Sequence, residues 1–236
     1  MRPDVHEWDQ LTYAARGFMG IETADTRWLV PPHRAIWIPA GTRHVELMYG
    51  PVSVRSLFLA TAVTRQLPRT LCTFEISPLL RELVLHVCRI GSLDRRIRAQ
   101  AHLIAVLVDQ LTTVSDVPLQ LPWPRDGRAR RVAEWLQARP GDPRSTRALA
   151  KMAGASARTL ERAFSVETGM AFGEWRRRCR LLYAMRLLVR ESSSGGASSV
   201  TDVALEAGYA STSAFVSAFK ALLGVTPGEY AARARV

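Results

Sequence analysis

Apolar and polar positions follow two different rhythms along this chain, and the change of rhythm divides it. Over residues 6–60 short apolar runs are cut by turn-forming residues. Leu11-Thr12-Tyr13-Ala14 runs to Gly17, Phe18–Thr23 to Ala24-Asp25, and Trp28-Leu29-Val30 to Pro31-Pro32. Ala35–Ile38 ends at Pro39-Ala40-Gly41 and Val45–Met48 at Tyr49-Gly50-Pro51, before Val52–Leu59. Short strands at intervals of about ten residues predict a small antiparallel β-barrel or sandwich over 1–74. From Glu75 the period lengthens. Leu79, Leu80, Leu83, Val84 and Val87 form one helical stripe, and Ile97, Ala101, Ile104, Ala105 and Val108 a second that continues to Leu111. They predict a helical hairpin over 75–118, its apolar faces either packed on the β-structure or used to pair with a second copy.

Leu119–Gly127 carries two prolines and a glycine and reads as a linker of limited flexibility. After it the pattern is helical, beginning with Val132, Trp135 and Leu136 inward over Arg131–Ala138. Ser145–Thr168 then reads as two short helices and a tight turn: the run Ala148–Ala153, Gly154 suited to a left-handed helix end, and Ser156 as an N-cap. Leu160 and Phe164 take the inner side of the second helix; Arg158, Glu161, Arg162 and Ser165 take the outer. Val200–Leu223 repeats the plan, with Gly208 54 positions after Gly154 and Ser211 55 after Ser156. Phe215 and Phe219 face inward there, and Thr212, Ser213, Val216, Ser217 and Lys220 outward. Phe172–Val189 has helical periodicity and would be a spacer of fixed length. Ser192–Ser199 reads as a flexible connection. An inner apolar face and an outer polar face are what a helix entering a DNA major groove needs, and a duplicated motif could present two such helices to one side of a duplex. A single copy would be matched equally well by an ordinary helical hairpin; the repetition favours DNA.

The segment Gly169–Trp175, then Gly208-Tyr209, Phe215, Phe219-Lys220 and Gly224-Val225-Thr226-Pro227-Gly228-Glu229-Tyr230, resembles the signature of the AraC/XylS family of transcription regulators. The resemblance covers roughly the last hundred residues. It implies an α+β chain: a cupin-like β sensor domain with a helical hairpin, followed by an all-α domain over 128–236 in which a linker helix joins two helix-turn-helix motifs. It implies that Arg158, Thr159, Glu161 and Arg162 face DNA from the first recognition helix, and Thr212, Ser213, Val216 and Ser217 from the second, with Lys220 on phosphate. It also implies double-stranded DNA as partner, RNA polymerase as a second protein partner, a small-molecule effector, a homodimer and a cytoplasmic location. No catalytic residue, cofactor or metal is implied.

Composition sharpens this in one respect. The net charge is +11, and residues 125–236 carry 19 Lys+Arg against 10 Asp+Glu, whereas residues 1–124 carry 13 against 11. The positive charge therefore sits with the duplicated motif, where a polyanion would bind. Cys72, Cys88 and Cys179 have no zinc-like spacing and read as free thiols, and no apolar run approaches the ~20 residues that span a bilayer. In the first half, Pro39–His44 is similar to the second motif of a cupin, and His6-Glu7-Trp8-Asp9-Gln10 stands in the region of the first. The strand series starts late, at or inside that region, which predicts an unpaired sheet edge. His6, Trp8, Gln10 and His44 are the candidates for effector contact. A cupin-type metalloenzyme with a basic helical appendage, and a nonspecific DNA binder, are the rival readings.

Overall fold

Alternation with period two places successive side chains on opposite faces of a strand, and the first half of the chain obeys it. The computed structural model describes residues 3–32, 34–112, 119–194 and 199–233. Its strands are β1 (Asp9–Arg16), β2 (Met19–Glu22), β3 (Thr26–Val30), β4 (Arg34–Ile38), β5 (Val45–Met48), β6 (Ser53–Leu59), β7 (Cys72–Glu75) and β8 (Gln120–Pro122). The helices are α1 (Pro78–Ile90), α2 (Arg98–Thr112), α3 (Gly127–Ala138), α4 (Thr146–Met152), α5 (Ala157–Thr168), α6 (Phe172–Ser194), α7 (Val200–Glu206), α8 (Thr212–Leu223) and α9 (Pro227–Arg233). The chain divides into two compact units, one of residues up to Ile21 plus Val30–Leu119, the other of Glu22–Leu29 plus Gln120 onward.

In the first unit four antiparallel strands run in the order β6-β1-β4-β7. Leu11 lies opposite Trp37 on one side and Leu57 on the other. These residues share a face with Tyr13, Ala35, Leu59 and Phe74, and that face forms one core with Leu80, Val84 and Val87 of α1 and Leu107, Val108 and Leu111 of α2. The predicted stripes thus pack on the sheet, although Leu79 and Ile97 remain outside the core and exposed. Ser77 caps α1 by accepting from the Leu80 amide at 3.1 Å. β5 lies beside β2. The α+β class stands as expected, but among the described residues no barrel closes. β6 and β7 stay at the margins of their sheet, and the helical hairpin covers the face they frame. The hairpin itself breaks at 91–97, where Gly91 ends α1 and Asp94 accepts from Arg96.

The second unit holds all helices from α3 onward, together with β3 paired to β8. Its centre is aromatic. Trp175 is fully buried against Phe164, with ring centroids 5.1 Å apart, and its indole N–H donates to the Pro122 carbonyl at 2.7 Å. Phe164 also meets Phe172 at 4.9 Å. α6 is longer than the periodicity predicted. Its backbone continues through Ser194, so the first serines of the expected flexible connection are helical, while 195–198 lie outside the described residues.

Candidate nucleic-acid interface

Small residues at the turn and serines at the caps build the same local structure twice. Ser145 opens α4, accepting from the Ala148 amide, and Ser199 opens α7 in a capping box with Asp202. Each first helix ends on a left-handed glycine, Gly154 at φ +72° and Gly208 at φ +81°. The closing hydrogen bonds also match. Gly154 N–H donates to Lys151 O and Ala155 N–H to Ala150 O, as Gly208 N–H does to Leu205 O and Tyr209 N–H to Ala204 O. Ser156 then caps α5 and Ser211 caps α8, and both second helices stop at left-handed glycines, Gly169 and Gly224. Leu149, Ala150, Ala153, Leu160 and Phe164 are buried in the first copy. Val203, Ala204, Ala207, Phe215 and Phe219 are their buried counterparts in the second.

Burying those faces leaves the other faces in solvent. On α5, Arg158, Glu161, Arg162 and Ser165 are exposed, and Thr159 is half-buried with its hydroxyl 2.9 Å from that of Ser156. On α8, Ser213, Ser217 and Lys220 are exposed, and Thr212 and Val216 half-buried. The sequence missed Val166, four residues beyond Arg162 on the same side of α5 and 77% exposed. The repeat of four that placed Arg158 and Arg162 on one face would have found it.

The arginines of this unit fall into two groups. Several are committed to the fold. Arg176 donates to the carbonyls of Arg144 (2.8 Å) and Asp142, and Arg180 to those of Pro140 (3.1 Å) and Asp142 (3.2 Å). Arg178 pairs with Glu174, and Arg131 holds the Ala153 carbonyl at 2.9 Å. Burial lowers the pKa of Arg176 and of Arg178. Arg176 and Arg180 therefore clamp the loop before α4. In contrast, Arg147, Lys151, Arg158, Arg162, Arg177 and Lys220 are exposed and make no side-chain hydrogen bond or ion pair among the described residues. Arg147, Lys151 and Arg177 were not singled out by the sequence pattern. Their availability depends on which neighbours are spoken for, and only the structure decides that.

The two copies share a frame. Asp142 accepts from the Trp135 indole at 2.6 Å and from Arg144, whose guanidinium holds its carboxyl well below the usual carboxylate range. Next to it, a Cβ on Gly208 would come within 2.7 Å of the Gly141 Cα, so the turn of the second motif sits directly on the loop that precedes the first. Tyr183 of α6 donates to Glu206 of α7 at 2.5 Å. Glu167, near the end of α5, accepts from the amides of Arg125 and Asp126 at 2.5 and 2.8 Å and so ties α5 to the start of α3. Trp123 is flanked by guanidiniums, with Arg130 at 3.9 Å and Arg27 of β3 at 5.2 Å from its ring.

In the first unit the structure brings three of the four expected effector residues together. His6 Nε2 lies 2.7 Å from Gln10 Oε1, and its ring is 5.4 Å from that of His44. The buried Gln10 amide donates onward to Thr12 at 2.7 Å and to Glu46 at 3.1 Å. His44 is buried with Nδ1 on the Thr42 carbonyl. Trp8 does not join them; only its backbone oxygen meets His6, at 2.6 Å, and its side chain is exposed. Among the described residues no three His, Cys, Asp or Glu side chains come together in a way that could hold a metal ion.

Comparison with known proteins bears on the whole chain. A helix-turn-helix domain family matches residues 149–233. Over 229 residues the chain is 34% identical to the HTH-type transcriptional regulator NimR of Escherichia coli (strain K12), across 97% of this chain and 81% of that protein. Over 109 residues it is 38% identical to the HTH-type transcriptional regulator RipA of Corynebacterium glutamicum, across 46% of this chain and 31% of that protein. Among solved structures, the DNA-binding domain of AdpA in complex with a target DNA is 31% identical, covering 46% of this chain and 93% of that one with a TM-score of 0.41.

Proposed function

This chain belongs to the AraC-type helix-turn-helix transcription regulators, and we propose how it reads DNA and how that reading is controlled. It is a DNA-binding regulator. In the proposed mode α5 and α8 enter successive stretches of major groove on one face of the duplex. Arg158 and Arg162 are the base-reading cations of α5, with Glu161 accepting from cytosine amino groups and Thr159 at the rim. Thr212, Ser213 and Ser217 of α8 read through hydroxyls, and Val216 meets a thymine methyl. Lys220 holds phosphate together with Arg147, Lys151 and Arg177, contacts that position a protein without specifying sequence. The observation that carries this reading is the sorting of the arginines. Arg176 and Arg180 of α6 are spent on backbone carbonyls and Arg178 on Glu174, while Arg158 and Arg162 stand exposed and uncommitted on the second helix of the first motif.

The first unit is proposed as the sensor, and the protein as a cytoplasmic homodimer. A small effector is held in the region of the half-buried His6 and the buried Gln10 and His44, a hydrogen-bonded polar group that an apolar β-core would otherwise not retain. Its occupancy biases the arrangement competent for DNA or for contact with RNA polymerase, and shifts operator affinity by its differential binding to the two arrangements. The exposed Leu79 and Ile97 on the helical hairpin support a pairing surface.

Selection of bound sequences from a random DNA pool tests the reading. The expected result is one enriched site with two conserved blocks about 10 base pairs apart, centre to centre. With Arg162→Ala, the block read by α5 should lose its preference. A pool that enriches no sequence at moderate salt would replace this function with nonspecific binding.

A further inference from the structure

Edge strand β6 borders a cavity of about 560 Å³ in the first unit, within the range of small-ligand sites. It adjoins the polar group of His6, Gln10 and His44: the His6 ring packs edge-on against Phe58 of the lining, centroids 5.3 Å apart, and Ser56 of the lining lies 3.1 Å from the Thr12 hydroxyl. One wall is aromatic, made by Trp8 and Phe58, which are 51% and 55% exposed. Large aromatic side chains that stay half exposed in the lining of one concavity leave apolar surface in water for an apolar ligand to cover. The lining also includes the aliphatic Leu93 and Ile104 and the thiol-bearing Cys88.

The charge around this cavity has one sign. Arg95 is the single charged residue in its lining, and no carboxylate lines it. The acid nearest to Arg95 in sequence, Asp94, is occupied by Arg96 through contacts of 2.6 to 3.0 Å. A cation at the rim and flat apolar walls select an apolar body bearing one negative charge.

We propose that this cavity is a binding site for an aryl carboxylate or a comparable flat apolar monoanion, its ring on Trp8 and Phe58 and its acid group on Arg95. The proposal rests on the reading of the first unit as a sensor only where it concerns regulation; the site itself stands on the cavity. Burial pushes the Cys88 thiol up, so it is slow to react and a ligand against it slows it further.

The test uses the full chain and 2-naphthoate, with the uncharged 2-naphthamide as its control. Alkylation of Cys88 by a maleimide at mildly alkaline pH is followed by peptide mass spectrometry, with Cys72, which lines a different cavity, as internal reference. Naphthoate should protect Cys88 and leave Cys72 unchanged, and naphthamide should need about tenfold more to do the same, the worth of one charge-assisted hydrogen bond. Arg95→Gln should abolish that difference. Ile104→Trp, which fills the cavity, should abolish protection by both compounds. Unaltered Cys88 labelling with naphthoate, or equal preference for naphthoate in the Arg95→Gln protein, would overturn the site. Operator affinity is measured in the same titration. A change supports an effector role, whereas protection with unchanged operator affinity keeps the site and removes it from regulation.

Discussion

Arg162 and Arg176 are fourteen positions apart and have opposite employments. Arg162→Ala should weaken binding to the selected site by about 1–3 kcal/mol and relax the preference at one base pair. Competition binding against site variants checks it; equal weakening on every sequence would mark a phosphate contact instead. Arg176→Ala should act on stability, because it strands the carbonyls of Asp142 and Arg144. Phe164→Ala should cost about 3–5 kcal/mol in denaturant unfolding, since the ring is fully buried between Phe172 and Trp175. Cys179 makes a third case. Desolvation pushes its thiol up to about 12, so it should resist alkylation in the folded protein and react only on unfolding. The sequence showed the inward side of Phe164 by spacing alone. It could not show which arginines were taken, because the carbonyls that take them lie 22 to 40 residues away in the chain.

At the scale of elements the turn-and-cap chemistry was legible, since Gly154, Ser156, Gly208 and Ser211 each announce a local backbone requirement. β7 and β8 were not, being four and three residues long and made only by pairing with distant strands. Gly208 has a second requirement that no local rule reveals, the close approach to Gly141. Gly208→Ala therefore combines a left-handed backbone with a clash against main chain, and should cost at least about 2 kcal/mol. Thermal unfolding measures the loss, and Gly154→Ala, with open space around its Cβ, should cost less. The loop that Gly208 rests on also carries an acid-sensitive contact. The carboxyl of Asp142 titrates lower in the folded protein than the ~3.9 of an unfolded Asp, so its contribution is complete above that range and is lost as pH falls below it. Asp142→Asn should cost about 2–3 kcal/mol at neutral pH, where Arg144 and Trp135 lose an ionised acceptor. The gap between the two proteins should close on acidification, and urea unfolding at several pH values reads it.

For the whole molecule, what matters is whether two similar motifs act as one reader. The duplication was visible in the sequence, but a repeat in sequence does not fix a repeat in space. The frame that fixes it is α6, one continuous helix of 23 residues, together with the seat of Gly208 on Gly141. The helix meets the two motifs through different contacts, Trp175 near its start on Phe164 of α5 and Tyr183 at its middle on Glu206 of α7. A pair of recognition helices on a rigid rod must find its two blocks on the same face of the duplex. Inserting 5 base pairs, about half a helical turn, between the blocks of the selected site rotates one of them to the far side. Affinity should then fall at least about tenfold, to the level given by scrambling one block, because only one motif can dock at a time. Inserting 10 base pairs restores the facing but exceeds the rod, and should not recover the loss. If a 5 base-pair insertion were tolerated, the second motif would be moving independently of α6. The close Gly141–Gly208 seat would then have to open when DNA binds.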